Sequence, residues 1–116
     1  MKNNFKIKNT FEKRKLEASN IIQKYPEKIP IIVQKYYTSE LPEIDKSKYL
    51  VPKDMTMSQF MFTIRKRIQL ESNQALFIWI NNGLVTSSKT MMEIYSENKD
   101  EDGFLYIDYT NENTFG

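Results

Sequence analysis

The chain has 116 residues, of which 40% are hydrophobic and 28% charged, so it is long enough for one domain with a packed core and too short for two. It contains no cysteine and no histidine, which excludes disulfide scaffolds, thiol nucleophiles, the usual zinc sites and Ser-His-Asp catalysis. We therefore expect a protein that is not an enzyme and holds no cofactor or metal. The longest apolar run, residues 75–80, is too short to cross a bilayer, which favours a cytoplasmic location.

The net charge is only +2, but the charges are unevenly distributed. Residues 1–70 hold 15 Lys and Arg against 7 Asp and Glu, whereas residues 71–116 hold 2 against 8. This asymmetry predicts a basic face that meets acidic partners or anionic headgroups, with an ordinary solvated surface as the alternative. The acidic half argues against nucleic-acid binding.

The first predicted elements are helical. Residues 3–8 form a short basic segment that predicts a turn of helix, and residues 11–25 predict a longer helix that Thr10 caps and Pro26 ends. The apolar residues of this helix recur at spacings of seven, four and three, which predicts one shared face: Phe11, Ala18, Ile22 and Tyr25.

Two strands and a third helix follow. Residues 28–35 (KIPIIVQK) predict a strand buried on both faces, residues 36–47 a loop, and residues 48–52 (KYLVP) a short strand at a sheet edge. A helix begins at Thr56, whose side chain forms a predicted capping box with Gln59. Its apolar residues fall at helical spacing: Met57, Phe60, Met61, Ile64 and Ile68.

The C-terminal part predicts a strand over residues 75–80, a turn at Asn82-Gly83, a short helix over 90–98 and a strand over 104–109. Residues 110–116 show no periodicity. The order of elements favours an α+β fold of the β-grasp type, with a four-stranded mixed sheet and two additional N-terminal helices. A ferredoxin-like arrangement is the alternative, and the single helix between the second and third strands argues against it.

The side chains of the predicted edge strand alternate between the two faces of the sheet. Alternation places Lys48 and Leu50 on one face of the sheet and Tyr49 and Val51 on the other. A peptide that adds to this edge would use main-chain hydrogen bonds for affinity and side pockets for specificity. Two peptide anchors three residues apart would enter pockets on opposite sides of the strand.

Several blocks, in the same order along nearly the whole chain, resemble the autophagy-related ubiquitin-like modifier family, most closely its GABA-receptor-associated protein (GABARAP) branch. They are FEKRK, KYP, IPIIVQK, DKSKYLVP, QF, IRKRI, ALFIWINN, DGFLYIDY and ENTFG. The resemblance implies a ubiquitin-like β-grasp with two additional N-terminal helices. It divides the chain into a helical extension (1–25), a ubiquitin-like core (26–110) and a flexible C-terminal conjugation tail (111–116).

The resemblance also implies a function in autophagosome formation. The carboxylate of Gly116 would be joined to phosphatidylethanolamine, placing the protein in the cytoplasm and, when lipidated, on the autophagosome membrane. The implied partners are the activating and conjugating enzymes of the cascade, a processing and delipidating cysteine protease, and phosphatidylethanolamine membranes. A terminal glycine suits this chemistry because it has no Cβ to clash in a narrow enzyme channel.

A second implied site binds cargo receptors and adaptors that carry an aromatic-x-x-aliphatic motif. The aromatic pocket would be lined by Glu17, Ile21, Pro30, Ile32, Lys48, Leu50 and Phe104. The aliphatic pocket would be lined by Tyr49, Val51, Pro52, Met55, Phe60, Thr63 and Ile64, with Arg67 at its rim. Lys46 and Lys48 would pair with acidic residues beside the motif. The alternative is that the apolar residues simply belong to the core.

The sequence departs from the family pattern at a few positions. Thr63 replaces a larger aliphatic residue, which predicts a shallower and wetter aliphatic pocket. Lys28 stands where an Arg is more usual, and a lysine cannot form the two parallel hydrogen bonds that an arginine makes to a carboxylate. Residues 83–85 lack the proline that commonly follows the paired asparagines, which leaves the conformation of this loop open.

Three other functions remain as alternatives. The first is an unconjugated ubiquitin-like peptide-binding module in vesicle trafficking. The second is an enzyme that uses carboxylates such as Glu40, Glu43 and Asp45, although no base or phosphate-binding loop accompanies them. The third is a basic binder of microtubules or acidic membranes through residues 1–24.

Overall fold

A computed structural model describes residues 4–112 of the chain, which fold into four helices and five strands. The helices are α1 (Asn4–Lys8), α2 (Phe11–Lys24), α3 (Met57–Arg67) and α4 (Met91–Asn98). The strands are β1 (Lys28–Lys35), β2 (Lys48–Pro52), β3 (Phe77–Ile80), β4 (Gly83–Leu84) and β5 (Leu105–Thr110).

The strands form one mixed sheet in the order β2-β1-β5-β3-β4. β1 and β5 run parallel in the centre, and the remaining pairs are antiparallel. This is the ubiquitin-like α+β fold that the sequence predicts, with β2 at one edge. The prediction of four strands is wrong, because β4 adds a fifth.

The fifth strand arises from a tight turn. Asn81 and Asn82 both adopt positive φ, at 50° and 64°, which matches the twist of a two-residue hairpin. The turn therefore lies one residue earlier than the predicted Asn82-Gly83, and Gly83 already pairs with Ile80. The N–H of Val85, which a proline would lack, donates to the carbonyl of Ile78 at 3.3 Å.

The main core lies between the sheet and helices α3 and α4. β1 contributes Ile29, Ile31 and Val33 to it, and α3 contributes Phe60 and Ile64. The prediction that β1 is buried on both faces is confirmed, because Ile29 to Val33 are all buried. Both helices begin with a capping box, the predicted one at Thr56 and a second at Thr90.

Helices α1 and α2 cover the opposite face of the sheet. Of the predicted apolar face of α2 only Ala18 is buried, since Phe11, Ile22 and Tyr25 are all substantially exposed. The buried positions are Arg14 and Ala18. Ala18 fits because Gly103, at φ +97°, brings the backbone so close that an added Cβ would lie 3.0 Å from the Ala18 Cβ.

Two ion pairs hold the N-terminal helices on the loop between α4 and β5, residues 100–104 (the 100–104 loop). Lys6 of α1 pairs with Asp100 at 2.6 Å, and Arg14 of α2 pairs with Asp102 at 2.6 Å. The loop is closed on itself by the N–H of Asp100, which donates to the carbonyl of Phe104 at 2.8 Å. Both helices are therefore anchored to one short segment just before β5.

The end of the described chain is held against the sheet. Thr110, the last residue of the predicted core, is buried and ends β5, one residue beyond the predicted strand. The indole N–H of Trp79 donates to the carbonyl of Glu112 at 3.3 Å. Gly116 and the predicted conjugation tail beyond Glu112 lie outside the described residues.

Asp108 of β5 generates a pH prediction. Burial raises the pKa of its carboxyl group to about 6, against about 3.9 in an unfolded chain. The protonated carboxyl is the form that the folded state favours. Its contribution to the free energy of unfolding is therefore complete below about pH 4 and is lost as the pH rises through about 6. We expect Asp108→Asn to be more stable than the parent at pH 7 by about 1–3 kcal/mol.

Urea unfolding of both proteins between pH 4 and pH 7.5 checks this prediction. The advantage of Asp108→Asn should shrink toward zero as the pH falls to 4. Asp54→Asn, at an exposed carboxylate, is the matched control and should show no comparable pH-dependent gain. A constant difference between parent and Asp108→Asn across the range would contradict the account.

Candidate functional site

The outer side of β2 is an open sheet edge, since β2 pairs with β1 alone among the strands of residues 4–112. At one end of the β1–β2 ladder the N–H of Val33 donates to the carbonyl of Ser47 at 2.7 Å. At the other end the N–H of Lys53 donates to the carbonyl of Glu27 at 3.2 Å. Successive residues of an antiparallel strand direct their main-chain N–H and C=O groups alternately toward and away from the partner strand. These two bonds therefore fix the parity of β2, that is, which of its residues direct these groups toward β1.

By that parity Lys48 and Leu50 direct their N–H and C=O groups away from β1. Pro52 has no N–H, and its carbonyl already accepts the N–H of Met55 at 3.2 Å. The edge therefore offers the main-chain groups of two residues to an added strand. The lysine and proline flanking Leu50 limit uncontrolled pairing with other sheets.

The predicted aromatic-pocket residues come together on the face of the sheet that α2 covers. Ile32 and Phe104 form a small buried cluster with Ala18, against which Ile21 packs. Pro30 is buried beside Ile32 in β1. Leu50 is 36% exposed at the open edge and forms the outer wall. The arrangement is an apolar floor that opens toward the edge strand.

An ion pair joins two of the residues predicted to line the aromatic pocket. The ammonium of Lys48 lies 2.7 Å from the carboxylate of Glu17. It also lies 5.2 Å from the ring centroid of Phe5, and the Phe5 ring stands edge-on to Phe104 at 5.3 Å. Phe5 of α1 thus lies beside two residues of the predicted aromatic pocket, a position that the sequence did not indicate.

The predicted aliphatic-pocket residues come together on the other face of the sheet, beside α3. Val51, Phe60 and Ile64 are buried in the main core, and Tyr49 and Met55 pack against it. The rings of Tyr49 and Phe60 meet edge-on at 5.5 Å. Side chains of β2 therefore alternate between the two faces as predicted. Thr63 is partly buried and Pro52 exposed.

The rim of the aliphatic pocket is charged. Two guanidinium nitrogens of Arg67 donate to the two carboxylate oxygens of Asp45, at 3.2 and 3.1 Å. The phenol oxygen of Tyr49 is buried without a hydrogen-bond partner among the described residues. Burial raises the pKa of this phenol, while the charge of Arg67 lowers it in part and that of Asp45 raises it. Lys46 lies over the Tyr49 ring at 5.0 Å.

Not every predicted residue joins a pocket. Lys28 is exposed at the start of β1, opposite Pro52, and forms no ion pair with another residue of 4–112. Ile32, Phe60 and Ile64 are fully buried, so they form the floor rather than present surface. An open groove of about 700 Å³ lies beyond the start of β2, lined by residues such as Phe5, Lys8, Gln34 and Ser47. None of the predicted binding residues lines that groove.

The carboxylates considered for catalysis each serve a different partner. Glu43 pairs with Lys35 at 3.3 Å, and Asp45 pairs with Arg67. Glu40 accepts a hydrogen bond from the side chain of Asn111 at 3.4 Å. Among residues 4–112 no group of three or more acidic side chains is arranged to hold a metal ion. No helix in that range is both long and apolar enough to span a bilayer.

Comparisons with known proteins agree with the fold. A family model described as "Autophagy protein Atg8 ubiquitin like" matches residues 13–116. "Autophagy-related protein 8e" of Arabidopsis thaliana is 55% identical over 112 residues, covering 97% of this chain and 92% of the relative. "Autophagy-related protein 8" of Mycosarcoma maydis is 52% identical over 116 residues, covering 100% and 98%. The crystal structure of Trypanosoma brucei ATG8 superposes with a TM-score of 0.92 at 45% identity, over 100% of both chains.

The parity of β2 generates a prediction for hydrogen exchange. The amides of Tyr49 and Val51 face β1 and should be protected, whereas those of Lys48 and Leu50 face solvent. We expect the latter pair to exchange at least about a hundredfold faster, measured residue by residue by NMR. Tyr49 and Val51 are the matched controls within the same strand. Equal protection of all four amides would show that the edge is covered.

Proposed function

Because the chain belongs to the Atg8 family of autophagy-related ubiquitin-like proteins, we propose that it is a modifier conjugated through the carboxylate of Gly116 to phosphatidylethanolamine. In this proposal an activating enzyme adenylates the terminal carboxylate with ATP and releases pyrophosphate. A cysteine of the cascade displaces AMP to form a thioester, and the lipid amine displaces the thiol to form an amide. The cysteines belong to the enzymes, so a substrate without cysteine is no obstacle.

The position of β5 supports this assignment. β5 is a central strand and leads straight into the last residues of the chain. A rigid strand before a short C-terminal segment lets an enzyme grip the folded core while it receives the carboxylate. Glycine suits the last position because it has no Cβ and adopts most backbone angles. The conjugate would work at autophagosome membranes and the free protein in the cytoplasm.

The second half of the proposal is that cargo receptors and adaptors bind β2 through an aromatic-x-x-aliphatic motif. The observation that carries it is the open edge at Lys48 and Leu50, flanked by apolar sets on opposite faces. An added strand would pair with those two residues and send anchors of opposite parity into the two pockets. The aliphatic set extends past Val51 to Met55, whereas the aromatic set reaches no further than Leu50. A peptide with its aromatic anchor first would therefore run in the direction of β2.

Two lysines at this edge favour peptides that carry acidic residues beside the motif. Lys46 is exposed two residues before β2, and Lys48 becomes available when it exchanges Glu17 for a peptide carboxylate. Exposed pairs of this kind contribute roughly 0.2–1 kcal/mol each, so they tune affinity rather than create it. The proposed partners are thus acidic peptides with two apolar anchors, together with the conjugating enzymes, the processing protease and phosphatidylethanolamine membranes.

Lipid conjugation is tested directly by incubating the protein with the activating and conjugating enzymes, ATP and phosphatidylethanolamine liposomes. We expect a gel shift for the parent chain and none for Gly116→Ala, because a Cβ at the terminus obstructs the enzyme channel. Thr114→Ala, which keeps the glycine, should still shift. A parent chain that binds motif peptides but never shifts would contradict conjugation and favour an unconjugated peptide-binding module in vesicle trafficking.

Thr63 provides a prediction for the aliphatic pocket. Thr63→Leu adds apolar surface beside Phe60 and Ile64, so a peptide with a leucine anchor should bind about three- to tenfold more tightly, or about 0.7–1.4 kcal/mol. Titration calorimetry measures the change. The same peptide with alanine in place of its aliphatic anchor is the control and should gain little. If Thr63→Leu binds the leucine peptide no better than the parent, Thr63 does not limit this pocket.

A further inference from the structure

Asp102 has an environment that the proposed function does not use. Its carboxylate is fully buried, with a side-chain exposure of 0%, although the adjacent loop residue Glu101 is exposed. One oxygen, Oδ1, accepts the backbone N–H of Phe104 at 2.8 Å. The other, Oδ2, accepts from Nη1 of Arg14 at 2.6 Å and from the hydroxyl of Tyr106. One carboxylate therefore joins helix α2, strand β5 and the backbone of Phe104.

These three bonds meet at the floor of the aromatic pocket. The Phe104 ring is 1% exposed and packs with Ala18 and Ile32. Ala18 lies one helical turn after Arg14, so the ion pair of Arg14 sets how closely this part of α2 approaches the floor. Glu17 and Ile21 belong to the same helix, and Ile21 packs against this cluster. Asp102 thus links Phe104 to the helix that carries the other residues of this pocket.

The aliphatic pocket does not share this support. Its buried residues Val51, Phe60 and Ile64 belong to the main core on the other face of the sheet. None of the hydrogen bonds of the Asp102 carboxylate reaches that face. A change at Asp102 should therefore alter one pocket and spare the other.

We propose that Asp102 is a positioning residue for the aromatic pocket: its bonds to Arg14, Tyr106 and the Phe104 amide set the depth of the pocket that receives a peptide's aromatic anchor. The inference rests on the proposed peptide-binding function for its ligand. It assigns to Asp102 a specificity role without any contact to the peptide.

The side-chain chemistry predicts what Asp102→Asn does. The amide is nearly isosteric and keeps an oxygen for the Phe104 N–H, but it turns an NH₂ donor toward Arg14, which has no acceptor. Asp100 lies 4.0 Å from the Arg14 guanidinium and remains a partner for its charge. Arg14 should then shift toward Asp100, α2 should move with it, and the chain should still fold.

The test measures anchors separately by titration calorimetry. Three synthetic peptides are used, one carrying an acidic residue followed by Trp-x-x-Leu, one with Trp→Ala and one with Leu→Ala. For each protein, the affinity for the unsubstituted peptide is divided by the affinity for each substituted peptide. The Trp→Ala peptide gives the tryptophan ratio and the Leu→Ala peptide the leucine ratio. A loss of folded protein scales every affinity alike and cancels in these ratios, so a purely structural effect does not move them.

We expect Asp102→Asn to lower the tryptophan ratio about tenfold and to leave the leucine ratio within about twofold. Tyr106→Phe removes one of the three bonds and should change the tryptophan ratio in the same direction by less. Glu101→Gln, at the exposed neighbour in the same loop, is the matched control and should change neither ratio. Equal falls in both ratios, or no fall in a folded Asp102→Asn, would overturn the proposal.

A second measurement needs no peptide. Methyl NMR spectra of Asp102→Asn should show shifted signals for Ile21 and Ile32 and unchanged signals for Val51 and Ile64. Shifts spread over both sets, or absent from Ile21 and Ile32, would refute the positioning role. If the parent chain bound none of the peptides, the proposed function would fail, and these spectra would still decide whether Asp102 positions the pocket. Should Asp102→Asn not fold, Tyr106→Phe takes its place in both measurements.

Discussion

Among the strands of residues 4–112, β2 hydrogen-bonds to β1 alone, with Ile31 opposite Tyr49 and Ile29 opposite Val51. That register turns the main-chain groups of Tyr49 and Val51 inward and leaves those of Lys48 and Leu50 free. It also sends the side chains of the two sets to opposite faces. A slip of one residue would exchange all of them, moving Lys48 into the main core and Tyr49 under α2. The register therefore fixes the open edge and both flanking pockets together.

The two faces of the sheet are stabilised differently. One packs against α3 and α4 in a continuous apolar core, and the other is covered by α1 and α2 through the small cluster of Ala18, Ile32 and Phe104. On the second face ion pairs to the 100–104 loop supplement the apolar contact. A buried ion pair stabilises little in net terms, but breaking one partner leaves an uncompensated charge. Charge thus fixes the position of the helices more than it contributes to their stability.

Local signals predicted much of this architecture. The β-branched run of β1 and the capping box at Thr56 depend on neighbouring residues, and both are confirmed. β4 was missed because two residues are too short for a pattern. The burial of Arg14 on α2 was not predicted because its guanidinium pairs with Asp102, 88 positions away. Phe5 and the Asp45–Arg67 pair were missed at the pockets for the same reason, since their partners are distant in sequence.

A structure of the chain bound to an acidic peptide with a Trp-x-x-Leu motif, by crystallography or by intermolecular NOEs, tests the central claim most directly. We expect a peptide strand parallel to β2, hydrogen-bonded to the main chain of Lys48 and Leu50. Its tryptophan should lie over Ile32 and Phe104, and its leucine beside Val51 and Ile64. A peptide seated on the opposite sheet edge at β4, or with both anchors on one face of β2, would contradict it.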